Sequence, residues 1–209
     1  MMTGETQEVK AVRIFFTGVG GQGTLLATRM VGEAALEQGL SVTMSEIHGM
    51  AQRGGVVESS VVIGDAFSPT IADGEADILM AFEPLEAVRA LPKCHAKSLI
   101  ISSTVPVVPF TVAVGQSIYP ELAVLHDSIK EKVADLVWLD AVEVARNAGS
   151  ERASNTVLVG VLAGTGRLPI SKNSWEEALK RTLPARLLEI NGQAFEAGYA
   201  FGSAGQPLA

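Results

Sequence analysis

The sequence predicts an α/β protein in which helices flank a mostly parallel β-sheet. First, a β-branched and aromatic run at residues 11–16 is followed directly by glycines and then by a helical pattern. Second, residues 78–82 and 98–102 are short continuous apolar runs, which are typical of parallel strands buried on both faces. Third, the chain from residue 155 onward has helical character. These features predict a Rossmann-like sheet with a helical C-terminal part.

The first 45 residues have the pattern of a strand, a helix and a second strand. After the strand at 11–16, Leu26, Met30 and Ala34 recur at helical spacing, and Gly39 stands where a helix end favours glycine. Residues 41–45 form the next strand. Because a helical crossover normally joins parallel strands, we expect these two strands to pair in parallel.

The later elements follow from similar patterns. Residues 55–63 are extended, and a turn at Gly64 predicts a returning segment at 66–71 that forms an antiparallel edge. A helix is predicted at 83–91, a strand at 136–140 and a helix at 141–148. The last helix is predicted to begin at Pro184 and to bury Leu187, Ile190, Ala194, Ala197 and Phe201.

Bulk composition limits the classes of function. With 209 residues and 47% apolar content, the chain can bury one core, so we predict a single domain over residues 1–209. The net charge of -7 and the lack of a Lys/Arg run argue against nucleic acid as a partner. Residues 1–10 do not resemble a signal peptide, and no apolar run has the length of a membrane span. We therefore expect a cytoplasmic protein with no membrane contact.

Cysteine and histidine usage bears on redox and metal chemistry. Cys94 is the single cysteine, which excludes an internal disulfide and a cluster held by four thiolates of this chain. None of the three histidines is spaced four residues from another. The sequence therefore predicts no metal ligands, and Cys94 is interpreted as a partly buried small side chain.

The clearest local motif is a glycine loop between the first strand and the first helix. Gly18, Gly20 and Gly23 match Gly-x-Gly-x-x-Gly, with Gly21 and Gln22 inside the loop. Free N–H groups and the helix dipole at such a position favour a phosphate; the alternative is that the glycines only allow the strand, turn and helix to pack closely. Glu46 lies 23 residues beyond Gly23, so a dinucleotide such as NAD stays open at this point.

A second polar loop at residues 45–55 is expected beside the glycine loop. It contains Glu46, His48, Gln52 and Arg53 between glycines, and Glu83 ends another predicted strand at the same rim. The alternatives are a surface ion pair for Arg53 and a structural hydrogen bond for His48. No nucleophile elbow, zinc motif or Walker loop occurs, and no catalytic residue is predicted. The predicted binding residues are Gly18, Gly20, Gly21, Gln22, Gly23, Glu46, His48, Gln52, Arg53 and Glu83.

These two loops together resemble the gamma segment of the pyruvate/2-oxoacid:ferredoxin oxidoreductases. Four further stretches resemble the small (beta) subunit of the indolepyruvate branch, so that the resemblance spans nearly the whole chain. They are residues 75–77, 82–87, 119–120 and 191–199.

The resemblance implies a small subunit that supports the oxidative decarboxylation of aryl pyruvates to aryl-acetyl-CoA, with ferredoxin as the electron acceptor. Thiamine diphosphate and iron–sulfur clusters are expected on an alpha subunit, which would be the partner and would connect this chain to ferredoxin. This chain alone is expected to hold no cofactor and to be inactive, with coenzyme A as a candidate ligand. The isolated chain is also expected to self-associate, for example as a homodimer.

The alternative function is a stand-alone Rossmann-type nucleotide-binding protein or a dehydrogenase. A dehydrogenase would need a substrate domain that supplies a proton-transferring group, and little chain is left after the sheet to build one. The polar loop at 48–55 also favours the oxidoreductase subunit over this alternative.

Overall fold

The structure is a computed structural model, which describes residues 11–48, 55–109, 112 and 114–205. Its strands and helices confirm the α/β class. In chain order they are β1 (Val12–Val19), α1 (Thr24–Glu37), β2 (Val42–His48), β3 (Val56–Ile63), β4 (Ala76–Ala81), α2 (Pro84–Arg89), β5 (Cys94–Ser103), α3 (Leu122–Lys132), β6 (Asp135–Leu139), α4 (Ala141–Asn147), α5 (Ser154–Gly164), α6 (Lys172–Thr182) and α7 (Ala185–Ser203). Short 3₁₀ turns at Leu91–Lys93 and Glu151–Ala153 precede β5 and α5.

The strands form one six-stranded sheet in the order β2-β3-β1-β4-β5-β6. The last four strands of this order, β1, β4, β5 and β6, run parallel, as predicted from their continuous apolar sequences. Parallel strands bring their carboxyl ends to one edge of the sheet. The loops that follow β1, β4, β5 and β6 therefore lie side by side at that edge.

The position of β3 corrects two predictions. β1 and β2 run in the same direction but do not pair, because β3 lies between them and is antiparallel to both. β3 is thus an interior strand, consistent with the complete burial of Val61, Val62 and Ile63. Residues 66–71, the predicted antiparallel edge, form no strand. The physical reason is that β2 and β3 are consecutive and can pair antiparallel along seven residues, which places the more apolar strand inside.

Alternating side chains of the sheet contribute to two hydrophobic cores. Ile14 and Phe16 of β1 point to the face covered by α1, α4, α5, α6 and α7. Phe15 points to the opposite face, where α2 and α3 pack. Among the described residues, none of the helices combines the length and apolar character that crossing a membrane requires.

Helices α5 and α7 pack unusually close together through glycines. A Cβ atom on Gly160 would lie 2.2 Å from the carbonyl oxygen of Phe195, and one on Gly198 would lie 2.1 Å from that of Val157. Gly164 and Gly202 repeat this arrangement one turn further along. The backbones can approach this closely only because these four positions lack a side chain.

This contact also corrects the predicted face of the last helix. α7 begins at Ala185, one residue after Pro184, and it buries Asn191, Ala194, Phe195 and Gly198. Leu187 is exposed, and Ile190, Ala197 and Phe201 are only partly buried. The predicted apolar stripe was therefore rotated away from the real contact, because glycines contribute no hydrophobic signal to a helical pattern.

Candidate functional site

A cleft opens at the carboxyl ends of β1, β4, β5 and β6 and has a volume of about 570 Å³. Loops and helix starts from four parts of the chain form its walls. The residues that line the cleft are Gly21, Gln22, Phe82, Ser103, Val105, Val107, Ala141, Val142, Glu151, Arg152, Ser154 and Leu158. Clefts of this kind at the carboxyl edge of a parallel sheet are the usual ligand sites of α/β proteins.

The glycine loop needs glycine at two of its positions for steric reasons. A Cβ atom on Gly18 would lie within about 3 Å of the Thr24 hydroxyl and of the Gln22 and Phe82 side chains. Gly23 caps α1 in the left-handed conformation with φ 78°, and a Cβ there would lie 2.6 Å from Nδ2 of Asn155. The close-packing explanation for these glycines therefore holds for Gly18 and Gly23.

The loop also presents backbone donors to the cleft. The N–H groups of Gly20 and Gln22 donate within the protein, to the carbonyl oxygens of Gly55 and Val19. Within the part of the chain that the structure describes, the N–H groups of Gly21 and Gly23 make no hydrogen bond, and Gly21 lines the cleft with φ 107°. An anion can therefore bind to these donors at the start of α1.

Gln22 holds the loop against the neighbouring strand. Its Oε1 accepts from the N–H of Val19 at 2.8 Å, and its Nε2 donates to the carbonyl oxygen of Phe82 at 2.8 Å. The carboxamide thus ties the end of β1 to the end of β4. Gln22 has a structural function while it also lines the cleft.

The polar loop is anchored beside the glycine loop, but its central residues lie outside the description. Gln52 and Arg53 fall in the segment 49–54, and the side chain of His48 is likewise outside the described part. Its anchors are described: His48 pairs with Val57 at the end of β2, and Gly55 accepts from Gly20. Glu46 lies within the edge strand β2 opposite Ser59, so β3 separates it from β1.

Glu83 is buried beneath the rim rather than exposed on it. Its side chain is 1% exposed and caps α2 by accepting from the N–H of Glu86 at 2.9 Å. Its Oε1 accepts from the Tyr119 hydroxyl and from the N–H of Val107 at 3.3 Å. Burial and the hydrogen bond to Glu83 raise the pKa of Tyr119, so the phenol stays protonated and donates. Glu83 thus fastens the segment that follows β5.

Sequence reasoning missed Arg152, which lines the cleft, and Asn155, which follows the lining residue Ser154. Arg152 lines the cleft from the 3₁₀ turn before α5, and its guanidinium has no partner among the described residues. Asn155 is buried, and its Nδ2 donates to the carbonyl oxygen of Gly23 at 3.3 Å, which joins the starts of α1 and α5. No local pattern indicates either function, because the fold brings together positions that lie 132 residues apart in the sequence.

The single cysteine is not part of this site. Cys94 is fully buried at the opposite end of β5, and burial raises the pKa of its thiol to about 11. The thiol is therefore protonated and weakly reactive near neutral pH. Among the described residues, no three His, Cys, Asp or Glu side chains are grouped so that they could hold a metal ion.

The fold and the site together define the class of protein. Residues 13–201 match the family model described as pyruvate ferredoxin/flavodoxin oxidoreductase, and the chain belongs to this family. Its relatives are named as subunits of indolepyruvate oxidoreductase, ketoisovalerate oxidoreductase and 2-oxoglutarate synthase.

Three known proteins illustrate the similarity more closely. Indolepyruvate oxidoreductase subunit IorB of Methanothermobacter thermautotrophicus is 40% identical over 186 residues, which cover 89% of this chain and 95% of the relative. The gamma subunit of a keto/oxoacid ferredoxin oxidoreductase from Geobacter sulfurreducens superposes with a TM-score of 0.68 at 23% identity, covering 92% of this chain and 99% of its own. The 2-oxoglutarate:ferredoxin oxidoreductase of Magnetococcus marinus, solved with 2-oxoglutarate, coenzyme A and succinyl-CoA, gives a TM-score of 0.73 at 21% identity and covers 94% of this chain and 32% of that chain.

Proposed function

We propose that this chain is the small subunit of an indolepyruvate:ferredoxin oxidoreductase. The complex converts an aryl pyruvate and coenzyme A to aryl-acetyl-CoA and carbon dioxide, and it passes two electrons to ferredoxin. The observation that carries the proposal is the 40% identity to a subunit named IorB over almost the full length of both chains. The dehydrogenase alternative is disfavoured by the position of Glu46. A dinucleotide-binding fold would place this acidic residue on a strand directly beside β1, but here β3 lies between β1 and the strand that carries Glu46.

The side chains of this subunit indicate which cofactors the alpha subunit must hold. Its one thiol is buried and protonated, and the described residues contain no group of metal ligands. These residues do not fit an iron–sulfur cluster. We therefore assign the clusters and thiamine diphosphate to the alpha subunit, which reduces ferredoxin. The small subunit contributes to binding and orientation in the cytoplasm.

Coenzyme A is the ligand that we assign to the small subunit. The N–H groups of Gly21 and Gly23 and the first turn of α1 offer donors to phosphate oxygens, and the cleft next to them has the size of a small-molecule site. The coenzyme supplies the thiol that accepts the acyl group. The Magnetococcus marinus enzyme, solved with coenzyme A, supports this assignment through its shared fold.

The direct test of the proposed function is reconstitution. We expect the isolated chain to be colourless, to contain no stoichiometric iron and to reduce no ferredoxin with indolepyruvate and coenzyme A. Activity should appear only after mixing with the alpha subunit, measured as coenzyme A-dependent ferredoxin reduction. Turnover by the isolated chain, or a reconstituted complex that is inactive with all aryl pyruvates, would contradict the proposal.

An exposed apolar segment after β5 fits the surface that binds the alpha subunit. Five of the nine large exposed hydrophobic side chains among the described residues lie in this one segment of 17 positions. Such a concentration is typical of a permanent subunit interface and also explains self-association of the isolated chain. The five are Val108, Val114, Ile118, Leu122 and Val124.

Replacing Ile118 with aspartate tests this interface. Ile118 is 92% exposed, so the change should leave the thermal unfolding temperature nearly unaltered while it places a charge in the apolar interface. We expect at least a tenfold weaker association with the alpha subunit in surface plasmon resonance, and less self-association in light scattering. Phe67→Asp is the matched control, because Phe67 is fully exposed outside this segment. Equal loss of association in both variants would refute the assignment.

A further inference from the structure

A second cleft lies at the opposite edge of the sheet, where the parallel strands begin, and has a volume of about 650 Å³. This amino-edge cleft is formed by the starts of β1, β4 and β5 and by the turn that follows α5. It shares no lining residue with the cleft at the carboxyl ends of the strands, and its volume is within the usual range of small-molecule sites. Its lining includes Val12, Asp77, Ile78, His95, Lys97 and Arg167.

A large bulge in β5 shapes the amino-edge cleft. Near the start of the two strands, one residue of β4 lies opposite the four residues 95–98 of β5. Ser98 is fully buried and fixes the bulge, because its hydroxyl donates to the carbonyl oxygen of Ala76 at 2.6 Å and accepts from the N–H of His95 at 2.9 Å. Bulges redirect side chains and are common beside functional sites. This one places His95 and Lys97 in the lining of the cleft.

The bulge also leaves one N–H donor of the His95 ring free for a ligand. Nδ1 accepts from the N–H of Lys97 at 3.1 Å, so a neutral ring carries its proton on Nε2. Nε2 lies 3.7 Å from Oδ1 of Asp77, which is longer than a hydrogen bond. The other carboxylate oxygen of Asp77 accepts from the N–H of Arg13 at 2.8 Å. The Nε2 proton can therefore be donated to an oxygen atom of a ligand.

Two cationic side chains lie in the same cleft. Lys97 is exposed, and within the described part of the chain its ammonium group has no ion pair or hydrogen bond. Arg167 forms an ion pair with Asp135 through Nη2, which leaves other N–H groups of the guanidinium available to a ligand. Both cations can bind a carboxylate, because charge-assisted hydrogen bonds of this kind are among the strongest in proteins.

We infer that the amino-edge cleft binds a small organic carboxylate that has a second acceptor oxygen and an apolar body. Lys97 and Arg167 bind the carboxylate, and Nε2 of His95 donates to the second oxygen. Val12 and Ile78 form the apolar side of the cleft. The inference does not depend on the proposed function, because the amino-edge cleft is a separate site and its ligand undergoes no reaction there.

Three related probes test each part of this recognition on the full chain. Phenyllactate has a carboxylate and a hydroxyl, phenylpropionate lacks the hydroxyl, and phenylpropionamide lacks both the hydroxyl and the charge. A titration followed by the NMR signals of the probe measures each dissociation constant. We expect saturable binding of phenyllactate, binding of phenylpropionate that is about threefold weaker, and binding of the amide that is weaker again by about tenfold. These ratios are typical of losing one neutral and one charge-assisted hydrogen bond.

Three variants assign the binding to this cleft. Lys97→Gln removes the unpaired charge at an exposed position and should raise the dissociation constant of phenyllactate by about tenfold. Lys180→Gln is the matched control, because Lys180 is an exposed lysine of α6 outside the cleft, and it should bind phenyllactate like the wild type. His95→Phe removes the Nε2 donor. It should bind phenyllactate no more tightly than phenylpropionate, and its affinity for phenylpropionate should be unchanged.

Two results would overturn the assignment of the amino-edge cleft. One is the lack of saturable binding of phenyllactate by the wild type up to about 10 mM, and the other is equal affinity in the wild type and Lys97→Gln. Equal binding of the acid and the amide would also contradict it, because the cleft would then recognise only the apolar body. None of the probes is a 2-oxoacid, so the proposed function stands or fails separately, by coenzyme A-dependent turnover of the reconstituted complex.

Discussion

Replacing Gly198 with alanine is expected to destabilise the protein by about 2–4 kcal/mol, a large effect for a single methyl group. The added Cβ would lie 2.1 Å from the carbonyl oxygen of Val157 and 3.0 Å from the N–H nitrogen of Val161, both in the backbone of α5. Backbone atoms cannot rotate away as a flexible side chain can. The two helices must therefore separate, which also opens the contacts at Gly160 and Gly202.

Gly192 provides a matched control within the same helix. A Cβ atom there would meet no atom within 4 Å, so Gly192→Ala should stabilise the protein by about 0.5–1 kcal/mol through helix propensity. Urea unfolding followed by circular dichroism measures both changes. The same substitution at the two positions is thus expected to change the free energy of unfolding in opposite directions. Similar stabilities of the two variants would show that α5 and α7 do not pack through their glycines.

The sequence was most informative where the residues of a single strand or loop are enough to predict its structure. The continuous apolar runs of β4 and β5 predicted parallel strands, and the glycine loop was correctly placed between β1 and α1. The pairing of β3 could not be predicted in this way. Whether β3 lies at an edge or between β1 and β2 depends on which strands are available as partners, and the local propensity of its residues is the same in both arrangements. The buried face of α7 was missed because its contact is made by glycines.

The same distinction applies to the candidate site. Gly21 and Gln22 were predicted from a local motif and do line the cleft, whereas Arg152 comes from a turn with no motif of its own. Glu83 was predicted at the rim from its position after a strand. Its burial could not be anticipated, because its partner Tyr119 lies 36 residues away at the end of an irregular segment. Residues that act through long-range contacts require the folded chain to be recognised.

Glu83 is expected to be the most sensitive polar residue near the cleft. Glu83→Ala removes the cap of α2 and leaves the N–H of Val107 and the Tyr119 hydroxyl without their acceptor. Losing a cap costs about 1 kcal/mol, and each of the two lost hydrogen bonds to these half-buried donors costs about 0.5–1.5 kcal/mol, so we expect a total loss of about 2–4 kcal/mol in urea unfolding. Because Val105 and Val107 form part of the cleft wall, the KM for coenzyme A should rise as well.

Two further variants distinguish the two functions of Glu83, which are capping α2 and holding the segment after β5. Asp140 caps α4 in the same way, accepting from the N–H of Glu143 at 2.7 Å, but among the described residues its side chain bonds to no distant segment. Asp140→Ala should therefore cost only about 1 kcal/mol. Tyr119→Phe keeps the cap and removes one bond to Glu83, so hydrogen exchange should accelerate within residues 104–120 while α2 keeps its protection. If Glu83→Ala costs no more than Asp140→Ala, and exchange in 104–120 is unchanged, Glu83 is only a helix cap and the cleft wall is held by other contacts.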